Sequence, residues 1–206
     1  MKHRCFVSCN LDHVLYLKNV IRACGYGEEL NIGSGSIGSL FTTSDTTPFV
    51  PALYAPKLTY IYGVYYTNSN YSAGFFGNRG KVTIPVVYFR DVVDIYPGSF
   101  STLICTSLII NNIIPPTFNN RYKRPDSDVA SNETKDLAFS NSTITNIYVP
   151  DGYVQTYLND PNWGALTTRN PNPITFKSMA ELVHYTDEAA WVAAGKPTNG
   201  IIDAYM

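Results

Sequence analysis

The stretch Gly98-Ser-Phe-Ser-Thr-Leu-Ile-Cys-Thr-Ser-Leu108 contains a unit that recurs loosely, with insertions, in the β-rich part of the chain. A glycine turn presents Phe100, a few small polar residues follow, and then an apolar segment of strand-forming residues begins. The same order of residue types recurs around Phe75 and around Phe139. One such unit cannot bury its own apolar face, so several must stack. The repetition therefore predicts a core of stacked strands.

The matching positions of these units predict which side chains line the interior. Phe75, Phe100 and Phe139 should form an aromatic ladder, and Trp163 should close its open end. The aliphatic positions that should pack against the ladder are Ile61, Ile95, Leu108 and Ile147.

Strand patterns dominate the first three quarters of the chain. Tyr, Val, Ile, Thr and Phe alternate there with turns of Gly, Pro, Asn and Ser. The predicted strands are 14–17, 30–32, 58–62, 82–84, 92–95, 108–110 and 144–149. Helical signals are confined to the last quarter: a helix from Asp151 to about Asn159, a capping box at residues 178–181, and a helix that begins near Thr186 and stops at Gly195.

Three segments resemble the BspA-like leucine-rich-repeat family. Residues 98–108 resemble a repeat unit of that family, and Ile113-Ile-Pro-Pro-Thr-Phe118 resembles part of its last repeats. Ile147-Tyr-Val-Pro-Asp-Gly-Tyr-Val-Gln-Thr-Tyr-Leu-Asn-Asp-Pro-Asn-Trp163 is similar to its terminal cap, where a strand leads into a short helix ended by Asn-Trp. The resemblance implies a mainly β fold, a short and irregular leucine-rich-repeat solenoid with a small helical C-terminal appendage.

The resemblance also predicts the domain organisation. Residues 1–173 should form the β-rich solenoid, with 1–51 divergent and 52–173 holding the repeats and the cap, interrupted by insertions at 65–78 and 119–136. Residues 174–206 should form a helical tail used for docking or oligomerisation.

The composition excludes several classes of protein. The 206 residues carry a net charge of -1, and only 15 % are charged against an ordinary share of about 25 %. The chain has no excess of basic residues, so its charge does not indicate a nucleic-acid partner. The longest mostly apolar stretch, 103–114, is interrupted by polar residues, so we expect no membrane insertion. No secretory signal peptide is recognisable at the N-terminus, where Asp12, His13 and Lys18 interrupt any apolar core.

Motifs for catalysis, cofactors and metals are weak, and we predict no site of these three kinds. Residues 33–38 match the Gly-x-Gly-x-x-Gly dinucleotide pattern, but no helix-forming segment follows. His3, Cys5, Cys9 and His13 are residue types that bind zinc, although their spacing is not a standard one. Half-buried thiols on a strand are the favoured alternative, and metal binding stays open.

Two surfaces are candidates for binding other molecules. Tyrosine provides contact area at low entropic cost, which makes the tyrosines around the Leu58 strand a candidate platform: Tyr60, Tyr62, Tyr65, Tyr66 and Tyr88. The tail is apolar at a chain end, where docking is needed to offset exposure. Its candidate docking residues are Met179, Leu182, Val183, Trp191, Ile201, Ile202 and Tyr205. We expect them to anchor the protein to another subunit, either a copy of itself or a virion protein.

These features together favour binding or structure over catalysis. Members of the family that the chain resembles are surface adhesins of gut bacteria, and such modules also occur in virion proteins of their phages. We therefore expect a non-enzymatic component of a phage particle, such as a fibre, tail or capsid-associated protein, located in the virion. A bacterial cell-surface or secreted adhesin that binds a host protein or glycan is the alternative, and a glycan-active enzyme ranks third.

Overall fold

The computed structural model shows a mainly β protein with short α-helices and several parallel sheets. It describes residues 6–7, 11–23, 36–37, 41–42, 48–61, 64–66, 71–73, 76, 81–96, 98–118, 138–139, 141–169 and 171–206. The strands within these ranges are β1 (Phe6–Val7), β2 (Leu15–Tyr16), β3 (Arg22–Ala23), β4 (Ser36–Ile37), β5 (Phe41–Thr42), β6 (Ala52–Ala55), β7 (Tyr60–Ile61), β8 (Val64–Tyr66), β9 (Tyr71–Ala73), β10 (Val82–Thr83), β11 (Val86–Phe89), β12 (Asp94–Ile95), β13 (Leu103–Ile110), β14 (Thr117–Phe118), β15 (Thr143–Val149), β16 (Thr175–Ser178), β17 (Val183–Tyr185) and β18 (Gly200–Ile202). The helices are α1 (Val154–Asn159) and α2 (Glu188–Ala193).

The chain adds strands to two parallel sheets in alternation. The main sheet has the order β16-β15-β13-β11-β6-β2, with β10 also paired to β13, and the second sheet has the order β14-β12-β7-β3-β4. Each of β2, β6, β11 and β13 is followed along the chain by a strand of the second sheet. Parallel neighbours need a crossover connection, and the passage through the second sheet supplies it.

The interior core is formed by the inward residues of both sheets. In the main sheet Leu53, Val87, Leu108 and Ile147 are in register and buried. In the second sheet Ile61 and Ile95 are in register with Phe118 and are also buried. The predicted aliphatic positions are therefore confirmed as core residues.

An aromatic ladder runs through this core. Phe100 stacks on Phe139 with ring centroids 4.8 Å apart, and on Phe76 at 5.9 Å. Trp163 is fully buried, packs edge-on against Phe139 and donates its indole N–H to the Pro116 carbonyl at 2.8 Å. The predicted core positions of Phe100, Phe139 and Trp163 are confirmed. The predicted Phe75 lies outside the described residues, and its neighbour Phe76 contributes the observed ring.

The same turn precedes β13 and β15. Leu103 N–H donates to the Phe100 carbonyl at 3.2 Å, and Ser142 N–H donates to the Phe139 carbonyl at 3.1 Å. The residue before each donor, Thr102 or Asn141, has a positive φ of 69° or 56°. Because the two turns have one geometry, they place their ladder phenylalanines one above the other.

Most predicted strands are found, with shifted boundaries. The strand predicted at 108–110 begins at Leu103, while those predicted at 58–62 and 92–95 are two residues long. The strand predicted at 30–32 lies outside the described residues. The helix predicted from Asp151 begins at Val154 and ends at Asn159 as expected.

The segment 174–206, predicted as a helical tail, contains three strands as well as α2. β16 is the terminal strand of the main sheet, so the sheet continues past the boundary predicted at residue 173. The capping box at residues 178–181 is confirmed, but only one 3-10 turn follows before β17. β17 and β18 then pair in parallel around α2, which is capped by Asp187 and followed by Gly195 with φ 84°. Strong local caps indicate where helices start, whereas the length of a helix depends on which of its residues the rest of the protein can bury.

Candidate interaction surface

The two members of the predicted tyrosine platform whose side chains are described, Tyr60 and Tyr88, lie on different sheets. Tyr60 is half-buried on the outward side of the second sheet, in register with Asp94. Tyr62 and the side chains of Tyr65 and Tyr66 lie outside what the structure describes, although the backbone of the latter two belongs to the β8–β9 hairpin. Tyr88 is fully buried on the outward side of the main sheet, so its prediction as an exposed contact residue is wrong.

Tyr88 belongs to a row of aromatic side chains that crosses the outer face of the main sheet. The residues in register along this row are Tyr16, Tyr54, Tyr88, Ile109, Tyr148 and Lys177. Tyr54 and Tyr88 stack with centroids 5.5 Å apart. Ala52 and Val86 add apolar surface two residues earlier on the same face. We call this surface the tyrosine face.

Burial changes the chemistry of the phenols on the tyrosine face. It raises the pKa of Tyr54 and of Tyr88 above the ordinary value, because the ionised form would lose its solvation. Each hydroxyl nevertheless has a partner: Tyr54 accepts from the Ile202 N–H at 2.8 Å, and Tyr88 accepts from Asn111 at 3.0 Å. The face is apolar in its centre and remains hydrogen-bonded at the ring tips.

Residues 179–206 cover the tyrosine face, and we call this segment the strap. Its buried residues Leu182, Trp191, Ile201 and Ile202 form one cluster with the tyrosine face. Met179 and Tyr205 pack at the edge of this cluster, whereas Val183 is 45 % exposed. The prediction that the tail residues need a docking partner is thus met within the chain itself. The prediction that their apolar surface contacts a neighbouring subunit is corrected, because this surface packs on the outer face of the main sheet.

One carboxylate links the strap to the start of the chain. Glu188 accepts the Val14 N–H at 3.0 Å on one oxygen and the Tyr205 hydroxyl at 2.9 Å on the other. His13 lies 3.5 Å from the same carboxylate, with its side chain 89 % exposed. The hydrogen bond to Glu188 raises the pKa of Tyr205. Residues far apart in the sequence are thereby joined at one point.

Cys105 and His184 are described residues whose side-chain types could serve as a nucleophile or a base. The Cys105 thiol is buried, and desolvation raises its pKa, which removes the thiolate needed for nucleophilic attack. His184 contacts Asp203 at 2.7 Å, on a half-exposed edge of the strap. Across the described residues no group of three or more His, Cys, Asp or Glu side chains could hold a metal ion. His3, Cys5, Cys9 and the 33–38 glycine pattern fall outside the described residues, except for β4 within that pattern.

An exposed apolar corner lies where the chain passes from the main sheet to the second sheet. Val93, Ile113 and Ile114 are 51 %, 57 % and 75 % exposed. Asn112 donates to the Val92 carbonyl at 2.9 Å and Thr117 N–H donates to the Val93 carbonyl at 2.8 Å, so both ends of the Ile113–Ile114 turn are attached beside Val93. Ile21, 44 % exposed, lies on the same side, since Thr59 bonds to both Ile21 and Val93 through its backbone. We call these four residues the apolar corner.

The sequence carries one signal for the apolar corner. Ile113 and Ile114 stand between two asparagines and two prolines, a context of turn residues in which apolar side chains have no strand or helix to bury them.

Comparisons with protein-family models, curated proteins and solved structures find no match to this chain. Among the helices described, none combines the length and apolar character that a membrane span requires.

Proposed function

We propose that this chain is a non-enzymatic structural and recognition module of a phage particle, built as a short solenoid of the BspA-like leucine-rich-repeat type. The observation that carries the proposal is the interleaving of two parallel sheets, in which the passages β2–β3, β6–β7, β11–β12 and β13–β14 each add one strand to both. Stacking of this kind leaves each unit dependent on its neighbours and creates long lateral surfaces suited to binding other proteins.

Support for the solenoid comes from the repeated turns and from the closed end. The turns at Thr102 and Asn141 share one geometry and each follows a ladder phenylalanine. Trp163 and α1 cover the last ladder ring, as a terminal unit must do to keep an interior core from water.

Support for a contact with another subunit comes from the apolar corner. Exposed isoleucines on a turn that is hydrogen-bonded at both ends are held in a fixed position, which lowers the entropic cost of binding. We therefore assign this corner to a protein partner within the particle. The tyrosine face is not available for that role while the strap covers it.

Mass spectrometry of purified phage particles tests the proposed location of the protein in the virion. We expect a fixed number of copies per particle that resists salt washing. Recovery only from bacterial outer-membrane or culture-supernatant fractions would instead support the adhesin alternative and contradict the proposal.

The contact is tested by placing a charge on the apolar corner. Ile114→Asp should leave the fold intact, since the side chain is 75 % exposed, and should reduce incorporation into particles by about tenfold or more. Val192→Asp is the matched control, because Val192 is 42 % exposed but lies on the strap. Equal incorporation of both variants would remove the apolar corner from the contact.

A further inference from the structure

The strap is bonded to itself as a small folded unit. β17 and β18 pair in parallel, and Trp191 on α2 donates its indole N–H to the Pro197 carbonyl at 3.1 Å. The same ring lies against Gly200, where even a methyl group would come within 2.8 Å of it. The His184–Asp203 contact joins the middle of β17 to the residue that follows β18. These contacts lie within residues 183–203, so they persist if the strap leaves the sheet.

The bonds between the strap and the rest of the chain are placed around its rim. Glu188 holds Val14, and Lys196 Nζ donates to the Asp12 carbonyl at 2.9 Å. On another side Arg90 donates to the Met206 carbonyl at 3.0 Å. Water can replace such part-exposed partners at low cost when they separate. The centre is held by apolar contact, with the Tyr54–Ile202 bond as its buried hydrogen bond.

The contact under the strap differs in composition from the interior core. Phe, Val, Leu and Ile dominate the interior, where Tyr157 is the tyrosine in the cluster. The cluster under the strap instead contains Tyr54, Tyr88 and Tyr148, with Tyr16, Tyr185 and Tyr205 at its edge. Tyrosine is enriched at surfaces that meet another chain, because its ring is apolar while its hydroxyl tolerates water. The tyrosine face thus has the composition of a surface that can be uncovered.

We propose that the strap is a releasable cover: residues 179–206 detach from the tyrosine face as one unit while the two sheets and their interior core stay folded. Release exposes the row of tyrosines across five neighbouring strands, and Glu188 is the main polar latch. The strap therefore controls access to the tyrosine face. The release is a property of the isolated chain and stands apart from the function proposed above.

Native-state hydrogen exchange of the full chain, followed by mass spectrometry at increasing urea below the unfolding transition, tests this inference. We expect low concentrations of urea to be enough to open the strap. Its peptides should therefore exchange at a much lower urea concentration than peptides from β13 and β15. Glu188→Ala should speed exchange of the strap by about tenfold or more, since hydrogen bonds to a charged group are lost, and leave β13 and β15 unchanged. Tyr205→Phe, which removes one of those bonds, should give a smaller change in the same direction.

Glu181→Gln is the matched control for the latch. It makes the same change of charge within the strap, and glutamine preserves the capping box. The ion pair that it removes, Lys177 to Glu181 at 3.9 Å, is part-exposed and contributes little to stability. Its exchange should equal that of the unmodified chain. Exchange of the strap, β13 and β15 in one step, or equal acceleration of all three by Glu188→Ala, would overturn the proposal. The measurement uses the chain in solution. It therefore tests the release of the strap independently of whether the chain is found in a particle.

Discussion

Individual residues set the geometry of the repeated turn. Asn141 has a positive φ, which asparagine adopts more readily than most residues because its short polar side chain can hydrogen-bond locally, whereas a β-branched residue in this region is a real outlier. Thr102 nevertheless occupies the equivalent position before β13 with φ 69°, and among the described residues its buried hydroxyl has no hydrogen-bond partner. Thr102 is therefore a weak point in an otherwise consistent turn.

Replacing Thr102 should stabilise the protein. Thr102→Gly removes the left-handed strain and the unpartnered hydroxyl, and we expect the free energy of unfolding to rise by about 1 kcal/mol after allowing for the greater freedom of glycine in the unfolded chain. Urea unfolding measures the change. The reciprocal control Asn141→Thr should lower the same quantity by about 1 kcal/mol. A loss of stability in Thr102→Gly would show that the threonine methyl packs well enough to outweigh the strain.

At the scale of elements, the ladder and the strap depend on contacts between segments distant in sequence. Phe100 stacks on rings contributed by the units before and after it. Residues 179–206 cover strands that begin at residue 15. These elements are short, and many strands have two residues, so their persistence comes from stacking and not from local propensity.

Truncating the ladder should cost far more stability than truncating an exposed side chain. Phe100→Ala leaves a cavity between two rings, and we expect a loss of about 3–5 kcal/mol in the free energy of unfolding. Leu158→Ala on α1 is the control, with an expected loss below about 1 kcal/mol because the side chain is 37 % exposed. Thermal and urea unfolding of both variants decide the matter, and similar losses would argue against a stacked core.

A methyl group at Gly200 should disturb the strap. Gly200→Ala would place a Cβ 2.8 Å from Trp191 Nε1 and from a ring carbon of Tyr185, so Trp191 must move. In a Trp163→Phe background Trp191 is the remaining tryptophan, and we expect its fluorescence to shift to longer wavelength.

Gly195→Ala is the control for that experiment. It strains a residue with φ 84°, which costs about 1–2 kcal/mol, but a Cβ there meets nothing within 4 Å. Its Trp191 emission should stay unchanged. A matching shift in both variants would mean that emission reports general loosening of the strap and not the Gly200 contact.

At the scale of the whole molecule, the main sheet is covered on both faces. The interior core fills one side and the strap fills the other, which is the arrangement expected for parallel strands with near-continuous apolar runs such as β11. The low share of charged residues follows from this, because a sheet covered twice leaves few strand positions in water. Buried tyrosines therefore lie in two parts of the molecule, on the tyrosine face and beside the terminal cap.

The buried tyrosines predict loss of stability at alkaline pH. Burial raises the pKa of Tyr54, Tyr88 and Tyr157 in the folded state above the ordinary value of 10.0. Above pH 10 the unfolded chain therefore loses phenolic protons that the folded chain retains, and the free energy of unfolding must fall as pH rises. Urea midpoints from pH 8 to 11 should be constant at first and decline near the upper end, with a shallower decline in Tyr54→Phe. A midpoint that does not change up to pH 11 would contradict this.

The sequence by itself determined the β class, the ladder positions Phe100 and Phe139, the closing Trp163 and the capping box at Ser178. These features are local or repeat at matching positions, so periodicity and residue type reveal them. The tertiary structure alone decided where the strap docks, and that Tyr88 is buried while Tyr60 is half-buried. The physical reason is that a strand pattern shows which residues alternate but not which segment covers each face. That choice depends on surface complementarity between segments separated by most of the chain, as between Glu188 and Val14.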